Sequence, residues 1–240
     1  MGGVVLVHGA WHTGWCWHKV ASGLTDAGVD VRVTELHRGS LAGDAAAVQA
    51  DVDVLRTSAP GGIVVCGHSY GGAAITLLAA DGIAHLVYVS AFMLDSGETV
   101  LGALGDAPPT SLFESMQALD DGSTVIDPSA ATSVFYADCS LADQEEAVAH
   151  LRPQAMNAGF EAPTGVCWRE VPSTYVVCTE DHAVHPELQR RFAARASRQM
   201  DWPSSHSPFL SRPAQLVELL AALTRGEDLP GTSKGATSPP

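Results

Sequence analysis

The chain has 240 residues, 46% of them hydrophobic and 17% charged, with a formal net charge of -14 at pH 7. That is enough apolar material for one α/β domain with a substantial core and an insertion. Lys19 and Lys234 are its only lysines, so there is no basic face for phosphate backbones or anionic lipid, which argues against nucleic acid and membrane as partners.

Residues 2–7 form a continuous apolar run, as expected of a parallel strand covered on both faces, and end at His8, Gly9 and Ala10. A loop over residues 11–17 follows, then a helix over 17–27 that stops at Gly28, and a second strand over 29–36. Residues 41–57 carry Leu41, Ala45, Val48, Val52 and Leu55 on one helical stripe. After Pro60, Gly61 and Gly62 a third strand leads to Ser69, a helix follows, and residues 84–90 make a fourth strand. Strict alternation of strand and helix implies right-handed crossovers and a mainly parallel sheet.

The rhythm breaks between residues 96 and 170, where prolines interrupt short amphipathic pieces such as 142–152. This segment reads as an inserted lid over a catalytic face. Three further elements follow: a strand over 174–178, a helix over 186–196 and a short strand over 198–202. A last helix spans 213–224. The domain reading is therefore a core of residues 1–95 and 171–225, a lid of 96–170, and a tail of 226–240 expected to be disordered because it has nothing to bury. A strand already running at Gly3 leaves no room for a signal segment, and no apolar run reaches membrane-spanning length, so a cytoplasmic protein is expected. Cys16, Cys66, Cys139, Cys167 and Cys178 are odd in number and lack C-x-x-C spacing, which fits buried reduced thiols and no metal site.

Gly67, Ser69 and Gly71 fit G-x-S-x-G between a strand and a helix. A nucleophilic serine there sits in a strained turn, and its neighbours must lack a Cβ where strand and helix crowd together. Its hydroxyl needs a general base and a third group to orient that base. Functional residues gather at the carboxyl ends of parallel strands, which selects His206 after the last strand and Asp181 or Glu180 after the preceding one. Asp181 is preferred because it lies later in the turn; Asp95 is a second choice of acid. His182 and His185 compete with His206, but no third ligand accompanies them as a metal pair. The oxyanion donors fall to the amides of Tyr70, after the serine, and Ala10, in the loop that Gly9 lets approach. His8 reads as a structural hydrogen-bonding residue.

The set formed by residues 8–17, by Gly67, His68, Ser69, Tyr70, Gly71 and Gly72, by Asp181 with residues 186–189 behind it, and by the His206 loop resembles the small α/β-hydrolases. More narrowly it is similar to the branch containing plant methylesterases, hydroxynitrile lyases and bacterial esterases. The resemblance covers the chain to about Thr224. It implies an α/β-hydrolase fold with a doubly wound sheet, helices on both faces and an inserted lid. It also implies a Ser69, Asp181, His206 triad, an oxyanion hole of Ala10 and Tyr70, and no cofactor. Lyases of that branch need a positive side chain after the catalytic histidine and a threonine in the oxyanion loop. This chain has Ser207 and Gly9, which favours a serine carboxylesterase acting on a small-molecule ester. A hydroxynitrile lyase, a carbon-carbon bond hydrolase or a cofactor-free decarboxylative enzyme is the alternative, a non-catalytic ligand-binding protein the next, and a homodimer is open. Trp11, Phe92, Met93, Phe135 and Trp168, with Leu94 and Phe113, are the candidates for an apolar substrate pocket.

Overall fold

A computed structural model of the chain describes residues 2–36, 39–227 and 233–234. Strands β1 (Gly3–Val7), β2 (Asp30–Thr34), β3 (Ile63–His68) and β4 (Ile83–Val89) alternate with helices α1 (His18–Asp26), α2 (Leu41–Arg56) and α3 (Tyr70–Thr76). The segment after β4 holds α4 (Val100–Gly105), α5 (Ser111–Ser115), β5 (Met116–Ala118), β6 (Ser123–Ile126), α6 (Pro128–Phe135), α7 (Leu141–Ala149) and β7 (Gln154–Ala155). The alternation then resumes with β8 (Ser173–Cys178), α8 (Pro186–Ala193), β9 (Arg198–Trp202), α9 (Pro208–Ser211), α10 (Pro213–Thr224) and β10 (Ser233–Lys234).

The main sheet has the order β10-β9-β8-β4-β3-β1-β2, and every pairing from β1 through β9 is parallel. Alternate strand residues feed two cores. Val5, Val7, Val65 and Tyr88 meet Val48 and Val52 of α2, Ile75 of α3 and Phe192 of α8 on one face. Val4, Leu6, Val64 and Val87 meet Val20 and Leu24 of α1 and Leu216 and Leu220 of α10 on the other. A sheet covered on both faces needs apolar residues at every position, which is why its central strands read as unbroken runs rather than alternations.

Strand order reverses between β1 and β3, since β2 lies outside β1 and all later core strands lie beyond β3. The crevice beyond the carboxyl ends at such a reversal is where open α/β sheets bind ligands. The loops carrying Ala10 and Ser69 flank it.

The structure departs from the sequence reading in several places. The loop at 11–17 contains a 3-10 turn, Gly14–Trp17. Strand β2 stops at Thr34 because the Leu36 amide leaves the sheet to donate to His8 Nε2 at 3.1 Å. Helix α8 ends at Ala193 rather than at 196. The segment 96–170 holds an antiparallel sheet of order β5-β6-β7, which its interrupted pattern does not reveal. In the tail expected to lack structure, Ser233 and Lys234 pair antiparallel with Gln199 and Arg198. An edge strand's free backbone groups accept such pairing. The remainder of that tail from residue 228 lies outside the described residues.

Candidate active site

Ala10, Ser69, Ser90, Asp181 and His206 all follow carboxyl ends of parallel strands, so one edge of the sheet gathers them. Ser69 ends β3 at φ +51° and ψ -123°, a left-handed conformation that a residue with a side chain holds only when its surroundings impose it. Here its amide donates to Val89 O, and its carbonyl accepts from Gly72 N and Phe92 N. The turn is also pressed against β1, because a Cβ on Gly71 would come within 2.5 Å of His8 O.

The Asp181 carboxylate is held from several sides. Oδ1 accepts from the amides of Ala183 at 2.7 Å and Val184 at 2.9 Å. Oδ2 accepts from Gln189 Nε2 at 2.9 Å, from the Ser90 hydroxyl, and from His206 Nδ1 at 2.7 Å. Gln189 is fully buried, and its Oε1 also accepts the Cys178 amide at 2.8 Å, so the acid's support is tied to the end of β8. With Nδ1 committed to Asp181, the His206 ring presents Nε2 as its base, and His206 and Ser69 line one cavity. Glu180 and Asp95 are not part of this arrangement: Asp95 pairs with Arg169 at 2.5 Å. His182 Nδ1 is bonded to Ser133 O and His185 caps α8.

Ser90 is a residue that sequence reasoning missed. It is fully buried, has φ +45°, and its Oγ also lies 3.2 Å from His206 Nδ1. The one available signal was its position directly after β4.

Ala10 and Tyr70 also line the cavity, and among the described residues neither backbone N–H has an intramolecular partner. The Ala10 amide is oriented through its own peptide plane. His8 accepts the Leu36 amide at Nε2, so its Nδ1 carries the proton and donates it to Gly9 O at 2.8 Å. In a trans peptide the N–H points opposite to the carbonyl, so the bond to Gly9 O constrains the direction of the Ala10 N–H from the core side. Gly9 is required by proximity, since a Cβ there would lie 2.8 Å from Ser69 Cβ. His68 lies under the turn and gives Nε2–H to His206 O at 2.9 Å. Burial first, then the neighbouring imidazoles of His206 and His12, lowers its pKa well below the usual histidine value, so it stays neutral.

Trp11, Phe92, Phe113 and Phe135 line the cavity with Val100, Leu101, Leu112 and Met156. Met93 and Leu94 do not: both are fully buried in the core. Trp168 packs against that core from outside and donates its indole N–H to Leu94 O at 2.8 Å, so it too is structural. The wall carries no cationic side chain, and Gln154 is its one polar side chain besides Ser69, Tyr70 and His206. The cavity volume is about 50 Å³, and since a single water needs about 10–15 Å³ on this scale, it has room for a group the size of a short acyl chain.

Residues 4–219 match the model of the alpha/beta hydrolase family. A carbendazim hydrolyzing esterase from Nocardioides sp. is 30% identical over 247 residues, covering 93% of this chain and all of that protein. Methylesterase 1 of Arabidopsis thaliana is 26% identical over 246 residues, covering 89% of this chain and 92% of its own. The crystal structure of a pyrethroid hydrolase from Sphingobium faniae superposes with a TM-score of 0.78 at 23% identity, over 93% of this chain and 97% of that one.

Proposed function

From a chain that belongs to the alpha/beta hydrolase family, we propose a serine carboxylesterase in which Ser69 is the nucleophile, His206 the general base, Asp181 its orienting acid, and the amides of Ala10 and Tyr70 the oxyanion hole. The observation that carries the assignment is the His206 Nδ1 to Asp181 Oδ2 contact of 2.7 Å at the wall of a cavity that also contains Ser69. In this reading Ser69 Oγ attacks the ester carbonyl carbon while His206 Nε2 takes its proton. The oxygen that becomes negative is met by the two amides, which act where charge develops. The intermediate collapses, the alcohol leaves with the proton from His206, and a water activated by the same imidazole releases the acid.

The segment 96–170 is the cap of this site. It supplies most of the apolar wall, and with no cation in that wall the substrate is an uncharged ester with a small apolar acyl group. The cationless wall also removes support for a lyase that must hold an anion. Five buried cysteines, none in a disulfide, support a cytoplasmic location, and among the described residues no helix is long and apolar enough to cross a membrane.

The test is Ser69→Ala assayed on p-nitrophenyl acetate and butyrate, together with labelling by a fluorophosphonate probe. A loss on the order of 10⁴-fold or more and no labelling is expected. Undiminished turnover removes the role given to that oxygen.

A further inference from the structure

Trp11 follows the oxyanion residue Ala10 and adopts φ +58°, an outlying conformation for so bulky a residue. Such a conformation persists only where the surroundings over-determine it, and the hydrogen bonds and ring contact that hold Trp11 come from the cap. The Arg152 amide donates to Trp11 O at 2.8 Å. The Trp11 amide points at Gln154 Oε1 at 3.4 Å. Its indole Nε1 donates to Thr124 Oγ1 at 3.1 Å, and its ring lies 6.1 Å from that of Phe135. Thr124 of β6 and Gln154 of β7 are paired residues in the small antiparallel sheet, so two adjacent strands of the cap grip one residue.

The next residue is tied to the cap as well. His12 is buried, its Nδ1 donates to Ala10 O at 2.8 Å, and its Nε2 accepts from the Tyr136 hydroxyl at 2.9 Å. The direction of both bonds follows from the carbonyl, which can only accept. Ala10 therefore sits between a core anchor, His8 on the Gly9 carbonyl, and two cap anchors, one on its own carbonyl through His12 and one on Trp11.

We propose that Trp11 and His12 are positioning residues through which the cap sets the aim of the Ala10 amide, so that a correctly seated cap and a working oxyanion hole are one conformational state. A substrate that lets the cap settle then completes its own catalytic site, and specificity in the cap is read out in turnover as well as in binding. The inference rests on the esterase reading above and adds to it a link between two parts of the molecule.

Thr124 and Tyr136 provide the test, because neither lines the cavity. Thr124→Val and Tyr136→Phe each remove one hydroxyl while keeping the shape. Removing an oxyanion donor outright costs roughly 10²–10³ in kcat, and a misdirected donor is expected to cost about tenfold. In each variant kcat should fall by about that factor with KM changed less than about twofold, and affinity for a short alkyl trifluoromethyl ketone, which places an oxyanion in the hole, should fall in parallel. Inhibition by butanol, which engages no oxyanion donor, should be unchanged. Lowered melting temperature in both variants with unchanged kcat and ketone affinity shows a merely structural role and overturns the inference. If one variant fails to fold, the other decides. Wild-type protein that neither hydrolyses the ester nor reacts with a fluorophosphonate defeats the esterase reading itself, which is a separate outcome.

Discussion

Asp181 and His206 meet across 2.7 Å with both side chains withdrawn from solvent, and the carboxylate oxygen that faces the imidazole is shared with Ser90 and Gln189. The acid is thus over-supported. Its remaining oxygen is saturated by the amides of Ala183 and Val184, so the carboxylate cannot rotate away from the ring without abandoning several bonds. A fixed carboxylate selects the Nδ1–H tautomer and leaves Nε2 able to take a proton.

Asp181→Asn tests that selection. The amide fits the same space but offers an NH₂ group that competes for the position facing Nδ1, favouring the wrong tautomer. kcat on p-nitrophenyl butyrate should fall by about 10⁴, while the melting temperature moves by only a few degrees. A loss under tenfold would show that Asp181 does not orient the base.

Ser90 combines a hydroxyl in the site with a left-handed backbone, and two substitutions separate these features. Ser90→Ala and Ser90→Gly both delete the hydroxyl that touches Asp181 and His206, so both should lose about tenfold in kcat, the scale of one buried hydrogen bond to a charged group. Only glycine relieves φ +45°, so Ser90→Gly should melt at a higher temperature than Ser90→Ala. Equal activity in wild type and both variants would reduce Ser90 to a turn residue.

Gly9→Ala places a methyl 2.8 Å from Ser69 Cβ and 3.0 Å from His68 Nδ1, distances that force the Ala10 loop and the Ser69 turn apart. Because the Ala10 amide moves with that loop, kcat and the rate of fluorophosphonate labelling should both drop by about 10². Full labelling in the variant would mean that the loop does not carry a donor.

The parts of this molecule that the sequence makes legible follow from one rule, that parallel strands present chemistry at their carboxyl ends. Ser69 and Asp181 lie just beyond apolar runs, His206 lies beyond the short polar strand Arg198–Trp202, and all three are of types that carry chemistry. Ser90 occupies an equivalent place, but a lone serine after a strand gives no signal of its own. The cap sheet was not legible because Met116–Ala118, Ser123–Ile126 and Gln154–Ala155 are too short to establish an alternation. Met93 and Trp168 look like pocket residues for the same reason that Val100, Leu101 and Leu112 do not. Large apolar side chains in a segment that breaks the strand-helix rhythm suggest a cavity, whereas aliphatics on one-turn helices resemble core, and only the path of the chain decides.

Acid should weaken the fold through histidines held neutral. Burial first, then nearby Arg198, lowers His85 to about 4, and burial lowers His68 as well. A histidine whose folded pKa is depressed binds more protons when unfolded, so stability rises with pH between about 4 and 6.5 and is lost as pH falls through that window. For His85 the effect is at most about 3 kcal/mol. Melting temperatures from pH 7 to 4 should therefore decline, and His85→Gln should flatten part of the decline. An unchanged slope in that variant would assign the acid sensitivity elsewhere.

Substrate charge provides the last test. The cavity wall holds no cation and the whole chain carries a net charge of -14, so an anionic acyl group would enter against the field and lose its hydration with no partner in return. Methyl butyrate and the methyl half-ester of succinic acid have acyl chains of similar length and differ chiefly in that charge. Their kcat/KM values at pH 7 should differ by 10² or more in favour of the neutral ester, on the order of 3 kcal/mol at the transition state. Raising ionic strength should recover only a small part of the difference, because salt screens the long-range field and not the desolvation inside the cavity. Equal turnover of the two esters would require a cation at the site that the wall does not contain, and it would overturn the assignment of an uncharged substrate while leaving the nucleophile untouched.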